Sequence, residues 1–142
     1  MSDSLIDAAL KARNGAHAPY SNFLVGCAVE SVDGEVSIGA NMENACYRLG
    51  VCAEQSALAA AQMAFGLEKV ARIAVTGGPR DASAGERGEV VTPCGGCRQA
   101  ILEAATLSGR DIEVVSCDHT GRERSVTTIS ALLPQGFTFT PG

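Results

Sequence analysis

Tryptophan is absent, aromatic residues make up 4% of the 142, and histidine occurs twice. The choice of catalytic side chains is therefore narrow. No apolar run reaches the roughly 18 residues that a membrane helix needs, so a membrane partner is not expected. The opening MSDSLIDAALKARNG is mixed in charge and amphipathic. It lacks the basic start and apolar centre of a secretory signal, which predicts a cytoplasmic chain. Basic residues are in deficit: 11 Lys and Arg against 16 Asp and Glu give a formal net charge of −5. A field of that sign repels phosphate backbones, so nucleic acid is not an expected partner. What is present is ordinary for a globular protein: 46% hydrophobic and 19% charged residues. That balance excludes a collagen, a coiled-coil rod and a disordered tail. The length fits one domain, 1–142, burying roughly 70% of the surface its unfolded chain exposes. Six cysteines remain, Cys27, Cys46, Cys52, Cys94, Cys97 and Cys117. Without a secretory signal they are expected as reduced thiols or metal thiolates.

No repeat or low-complexity block interrupts the chain. Residues 3–14 place Leu5, Ile6, Ala9 and Leu10 on one helical stripe, ended by Gly15. Phe23 to Val32 reads as a strand, Asp33-Gly34 as a hairpin turn, and Glu35 to Gly39 as the return. Residues 41–50 have no period and read as a loop. Cys52 to Phe65 is rich in Ala, Leu, Gln and Met, hence helical, and Gly66 stops it. Val70 to Thr76 is a short apolar strand. Residues 77–89 (GGPRDASAGERGE) have a loop composition and are the expected mobile segment, able to border a pocket. Gly95 to Leu107 is a helix, Ile112 to Cys117 and Arg124 to Thr127 are strands, and Ser130 to Leu133 is a helical turn. This order of elements predicts a layered α/β domain with a mixed sheet.

Two helix starts carry the chemistry: Cys52-Ala53-Glu54 and Pro93-Cys94-Gly95-Gly96-Cys97. By itself C-x-x-C is ambiguous between a redox dithiol, half of a structural zinc site and chance. Cys52 adds a third sulfur. Three protein ligands leave one corner of a tetrahedral zinc open, as a catalytic site requires. Helix N-termini favour thiolates at both places. Glu54, two residues after Cys52, falls where a general acid/base would stand, although a first-turn glutamate also complements the helix dipole.

These motifs resemble the zinc nucleobase deaminases, whose P-C-x-x-C and x-E signature tolerates a third Cys in place of His. More closely, the chain resembles the short, homotetrameric cytidine deaminases. The similarity runs through Ala18-Pro19-Tyr20-Ser21-Asn22-Phe23, Val25-Gly26, Asn41-Met42-Glu43-Asn44-Ala45-Cys46-Tyr47, the two zinc segments with Arg98-Gln99, and Leu132-Leu133-Pro134-Gln135-Gly136-Phe137. It implies a three-layer α/β/α fold with a five-stranded mixed sheet, and one Zn²⁺ per subunit held by Cys52, Cys94 and Cys97. It implies Glu54 as proton carrier, Asn41 and Glu43 on ribose hydroxyls, Phe23 stacked on the pyrimidine and the Ala53 backbone reading its edge. It also implies Phe137 reaching the site of a neighbouring subunit, and Tyr47 at a subunit contact. The implied reaction is hydrolytic deamination of cytidine and 2′-deoxycytidine to the uridine products and ammonia, in pyrimidine salvage. A modified cytidine or an antibiotic such as blasticidin S is an alternative substrate. A non-catalytic structural zinc module is the alternative of another class, and a thioredoxin-like redox protein a third. Glu43 adds an argument of its own: a buried carboxylate needs a partner, and a sugar hydroxyl supplies one where a phosphate would be repelled.

One position departs from the family pattern. The residue after the catalytic glutamate is typically Arg where three Cys bind the metal, and here it is Gln55. Gln55 can donate hydrogen bonds but brings no charge, which leaves Arg98 and Arg48 as candidates to offset three thiolates. Cys27, Cys46 and Cys117 are expected to pack as small apolar residues. His17 and His119 are expected at surface turns.

Overall fold

The computed structural model describes residues 3–140. Asp3 caps the first helix, α1 (Ser4–Arg13), by accepting from the Leu5 N–H at 3.0 Å. The strands β1 (Phe23–Ser31) and β2 (Val36–Ala40) form the expected hairpin. Its turn places Gly34 at φ 88°, a backbone region that costs glycine nothing. Helix α2 (Ala53–Ala64) follows, then β3 (Val70–Pro79), α3 (Gly95–Ser108), β4 (Glu113–Cys117), β5 (Arg124–Thr128) and the single turn α4 (Ile129–Leu132). The sheet order is β2-β1-β3-β4-β5. Only β3 and β4 run parallel, and α3 makes the crossover between them.

Alternating side chains feed two apolar layers. Ala28, Ala74, Val115 and Cys117 meet Leu5, Ile6 and Ala9 of α1 on one face. Cys27, Val29, Ile73, Val75 and Val114 meet α2, α3 and Ile129 of α4 on the other. The result is the three-layer α/β/α arrangement with a five-stranded mixed sheet.

The expectation of a loop from residue 77 is corrected here. Gly77, Gly78 and Pro79 continue β3 and pair with Val25, Leu24 and Phe23. Loop composition misleads at this point because the glycines answer to crowding. A Cβ on Gly78 would sit 2.7 Å from the His119 Cβ, and one on Gly77 would sit 3.0 Å from Val91 Cγ2.

Backbone packs against backbone where the sheet meets α2. A Cβ on Gly39 would lie 2.4 Å from the Ala57 nitrogen and 2.8 Å from the Ser56 carbonyl carbon. No rotamer relieves that clash. Gly39→Ala must push α2 off the sheet, with an expected loss of about 1–3 kcal/mol of stability in denaturant unfolding. A variant that unfolds at the wild-type midpoint would show that α2 is not seated this closely.

Candidate active site

Residues far apart in sequence converge where α2 and α3 begin. Cys52 is the N-cap of α2 and Cys94 the N-cap of α3. Cys97 lies in the first turn of α3, with 0% of its surface exposed. The three Sγ atoms all lie within 4.8 Å of one another. Zn–S bonds of about 2.3 Å at tetrahedral angles need sulfurs less than that far apart. Among the described residues no other Cys, His, Asp or Glu joins this group.

The electrostatics of these side chains fit a divalent cation. Burial raises the Cys52 pKa. Burial, followed by the negative charge of Glu54, pushes the Cys97 thiol well up. Cys94 is shifted down, chiefly by the Cys97 backbone N–H. Three sulfurs facing each other beside a carboxylate repel as anions, and a shared cation offsets that repulsion.

Glu54, in the first turn of α2, is only 5% exposed. Burial raises its pKa, and its own backbone N–H and the Cys97 thiol pull it partly back. A carboxyl that binds its proton more tightly than usual suits an acid/base group working near neutral pH.

A cleft of about 320 Å³ opens in front of the sulfurs. Cys52, Ala53, Glu54 and Cys94, at the two helix starts, line it together with Asn41 and Glu43. Val25, Val91 and Thr92, which sequence reasoning did not assign, also line it. Val25 was within reach of the strand alternation, because it shares a face of β1 with Phe23. No lysine or arginine lines the cleft.

Asn41 is partly engaged by the protein: its Oδ1 accepts from the Val25 N–H at 2.9 Å and its Nδ2 donates to the Phe23 carbonyl at 2.9 Å. Glu43 accepts from the N–H groups of Tyr20 and Ser21, at 3.0 and 3.1 Å, and from the Ser21 hydroxyl. The premise that Glu43 is a buried carboxylate in want of a partner is therefore corrected. It is half-buried, and the 20–21 turn already supplies donors. The Ser21 hydroxyl is the main cause of its lowered pKa.

Other expected site residues lie outside this cleft. Phe23 borders a neighbouring cleft beneath residues 82–91, against His119. Tyr47 is 86% exposed and, with Tyr20, lines a second hollow that adjoins the first at Glu43 and Gly50. Phe137, on the tail after α4, is 74% exposed.

Gln55 Nε2 donates to Cys97 Sγ across 3.9 Å, so the uncharged amide stands against a metal-facing sulfur. Arg98, a candidate for offsetting the thiolates, is turned elsewhere. It donates to the Pro93 carbonyl at 2.8 Å and the Leu132 carbonyl at 3.0 Å. Cys46 is exposed, which corrects the packing role expected of it. Cys27 and Cys117 are buried in the core as expected. His17 and His119 stand outside the sulfur group, and His119 Nε2 lies 2.7 Å from the Ser83 carbonyl oxygen.

This geometry has close counterparts. Residues 1–108 match the family described as the cytidine and deoxycytidylate deaminase zinc-binding region. The cytidine deaminase of Halalkalibacterium halodurans is 41% identical over 134 residues, covering 94% of this chain and 92% of that protein. The cytidine deaminase of Mycobacterium tuberculosis is 36% identical over 129 residues, covering 91% and 84%. Among solved structures, the cytidine deaminase of Burkholderia pseudomallei superposes with a TM-score of 0.81 at 41% identity, over 96% of this chain and all of that one. The Mycobacterium leprae cytidine deaminase superposes at 0.70 and 34% identity, over 94% and 97%. With three sulfurs gathered at two helix starts, a glutamate buried beside them and relatives that match over most of their length, this chain belongs to the cytidine and deoxycytidylate deaminase family.

Proposed function

We propose that this chain catalyses the zinc-dependent hydrolytic deamination of cytidine and 2′-deoxycytidine, giving uridine and 2′-deoxyuridine with release of ammonia. The observation that carries this reading is the trio Cys52, Cys94 and Cys97 beside buried Glu54, with Cys52, Cys94 and Glu54 lining a cleft sized for a nucleoside. Cys52, Cys94 and Cys97 would hold zinc, which when bound supplies a Lewis acid that acidifies water near neutral pH. Glu54 carries the protons. Its carboxylate takes one from the attacking water and delivers it to ring N3; it then takes the second from the hydroxyl newly bonded to C4 and passes it to the departing amine, so that the C4–N bond breaks as the C4 carbonyl forms. One carboxyl serves for all these transfers because each delivery regenerates the carboxylate for the next.

The walls support recognition of a free nucleoside. After its two bonds to β1, the Asn41 amide keeps one N–H and one lone pair for a sugar hydroxyl. Glu43 has about four acceptor sites and uses three on the 20–21 turn, which leaves room for one more hydroxyl. A cleft lined by carboxylates and no cation disfavours a phosphorylated sugar. Phe23 is read as the stacking partner of the pyrimidine, from the same face of β1 as Val25, and the Ala53 backbone as a reader of the base edge. Phe137 and Tyr47 are read as acting across subunits of a homotetramer. Their exposure is compatible with this, since both rings are free to meet a neighbouring subunit. The reading treats 1–142 as one domain. No helix among the described residues is long and apolar enough to cross a membrane, and none of the cysteines forms a disulfide. We place the enzyme in the cytoplasm, where thiols stay reduced.

The test is an ultraviolet assay of cytidine, 2′-deoxycytidine and deoxycytidylate, with ammonia and zinc quantified and assembly followed by sedimentation. Both nucleosides should be converted by a zinc-loaded tetramer while deoxycytidylate is left nearly untouched. A zinc-loaded protein inert toward both nucleosides, or one that prefers the nucleotide, overturns the reading.

A further inference from the structure

The tail that carries Phe137 is fastened to the helix that carries Cys97. Gln99 Oε1 accepts from the Phe137 N–H at 3.1 Å, and Gln99 Nε2 donates to the Phe137 carbonyl at 2.7 Å. Both main-chain groups of one residue are thus paired with one side-chain amide. This is the donor–acceptor complement that a facing residue offers in an antiparallel sheet. Glutamine can do this because its amide carries a donor and an acceptor side by side; a carboxylate lacks the donor and an ammonium the acceptor. Asparagine has both but is one methylene shorter.

A second contact fixes the same segment. Gly136 lies so close to α3 that a Cβ there would come within 2.3 Å of Leu102 Cδ2. Leu102 follows Gln99 by three residues and so lies on the same side of α3. One residue before Gln99, the Arg98 guanidinium holds the Pro93 carbonyl, next to Cys94, and the Leu132 carbonyl at the end of α4. With its backbone paired to Gln99 and the preceding glycine packed close to Leu102, Phe137 holds its ring 74% exposed.

We propose that Gln99 is a positioning residue: its amide clasp on the Phe137 backbone presents the Phe137 ring to the substrate cleft of a neighbouring subunit. This inference rests on the reading of Phe137 given above. It makes the first turns of α3 serve two sites at once. Cys94 and Cys97 face the subunit's own metal position, and Gln99 sets a wall of the neighbour's cleft.

The test compares Gln99→Leu, Phe137→Ala and the double variant as assembled, zinc-loaded enzymes. Loss of the clasp leaves the chemistry in place and loosens a binding wall, so Gln99→Leu should raise KM for cytidine about five- to tenfold with kcat within about twofold. In the Phe137→Ala background the same substitution should add less than about twofold, since both act through one ring. Hydrogen exchange of the peptide spanning 134–140 should quicken in Gln99→Leu. A merely structural role would lower stability or assembly without this pattern. If Phe137→Ala raises KM and Gln99→Leu does not, the clasp is irrelevant and the proposal falls. If Phe137→Ala leaves KM unchanged while cytidine is still deaminated, the reading of Phe137 falls and the proposal with it, though the proposed reaction stands. Should Gln99→Leu fail to assemble, Gln99→Glu is the substitute of nearly equal size. It keeps the acceptor and loses the donor, so a smaller KM rise is expected, and an unchanged KM overturns the proposal.

Discussion

Replacing Glu54 by Gln is expected to lower kcat for cytidine about 10³-fold, with zinc content and thermal stability close to wild type. The size follows from how much this carboxyl is asked to do. In the proposed reaction it takes a proton from water, gives it to N3, and supplies another to the leaving amine, and an amide can do none of these. The specificity of the effect follows from shape. Glutamine matches the volume of the glutamate it replaces, so the packing at the start of α2 survives. Glu54 is only 5% exposed, and the substitution removes a buried charge without opening a cavity. Stability therefore has no reason to fall by more than about 1 kcal/mol. Steady-state kinetics with metal analysis and a melting curve separate the outcomes. Full activity in Glu54→Gln would reduce the residue to a first-turn glutamate that complements the helix dipole, and would remove the acid/base centre from the mechanism. Loss of zinc along with activity would mean that Glu54 holds the metal position instead of moving protons beside it.

The extent to which this site could be read from sequence follows a physical division. Cys52, Glu54, Cys94 and Cys97 were legible because metal binding demands specific donors at specific helix positions, and few alternatives have that chemistry. The strand and helix order was legible from apolar periodicity, with β1 and α2 found to within a residue at their ends. The end of β3 was not. Gly77, Gly78 and Pro79 carry the composition of a loop, and only the nearness of His119 and Val91 shows why small residues belong in that strand. The state of Glu43 was also hidden. Its partners lie on the 20–21 turn, and no spacing rule connects positions 21 and 43. Arg98 shows the same limit: adjacency to Cys97 suggested a role toward sulfur, but a helical neighbour points about 100° away, and its guanidinium meets the Pro93 and Leu132 carbonyls. Chain proximity gave the wrong partner for Arg98, whereas for Gln55 the helix turned the side chain toward Cys97 from a different element.

Removing one sulfur tests the metal site without relying on turnover. Cys97→Ala is expected to weaken zinc binding by about 10²–10³-fold, read by competition with a chromophoric chelator. Cys97 is fully buried, lies in the first turn of α3, and receives the Gln55 amide, so its sulfur is the best supported of the three. A metal held by three thiolates loses a third of its protein ligands at once, and the two that remain, Cys52 and Cys94, are the more solvent-accessible pair. Because zinc binds the folded chain and not a preformed site in the unfolded one, the loss should also appear as a lower melting temperature in zinc-containing buffer. The gap between wild type and variant should narrow once a strong chelator strips both, since alanine in place of a buried cysteine costs only about 1 kcal/mol in packing. The control lies across the sheet: Cys117 is just as buried and its thiol is pushed up to about 11, mainly by burial, but it faces α1. Cys117→Ala should bind zinc as the wild type does and show no such dependence on chelator. If Cys97→Ala keeps zinc at wild-type affinity, or Cys117→Ala loses it, the three-sulfur site is wrong. The deamination chemistry built on it would then have no place in this fold.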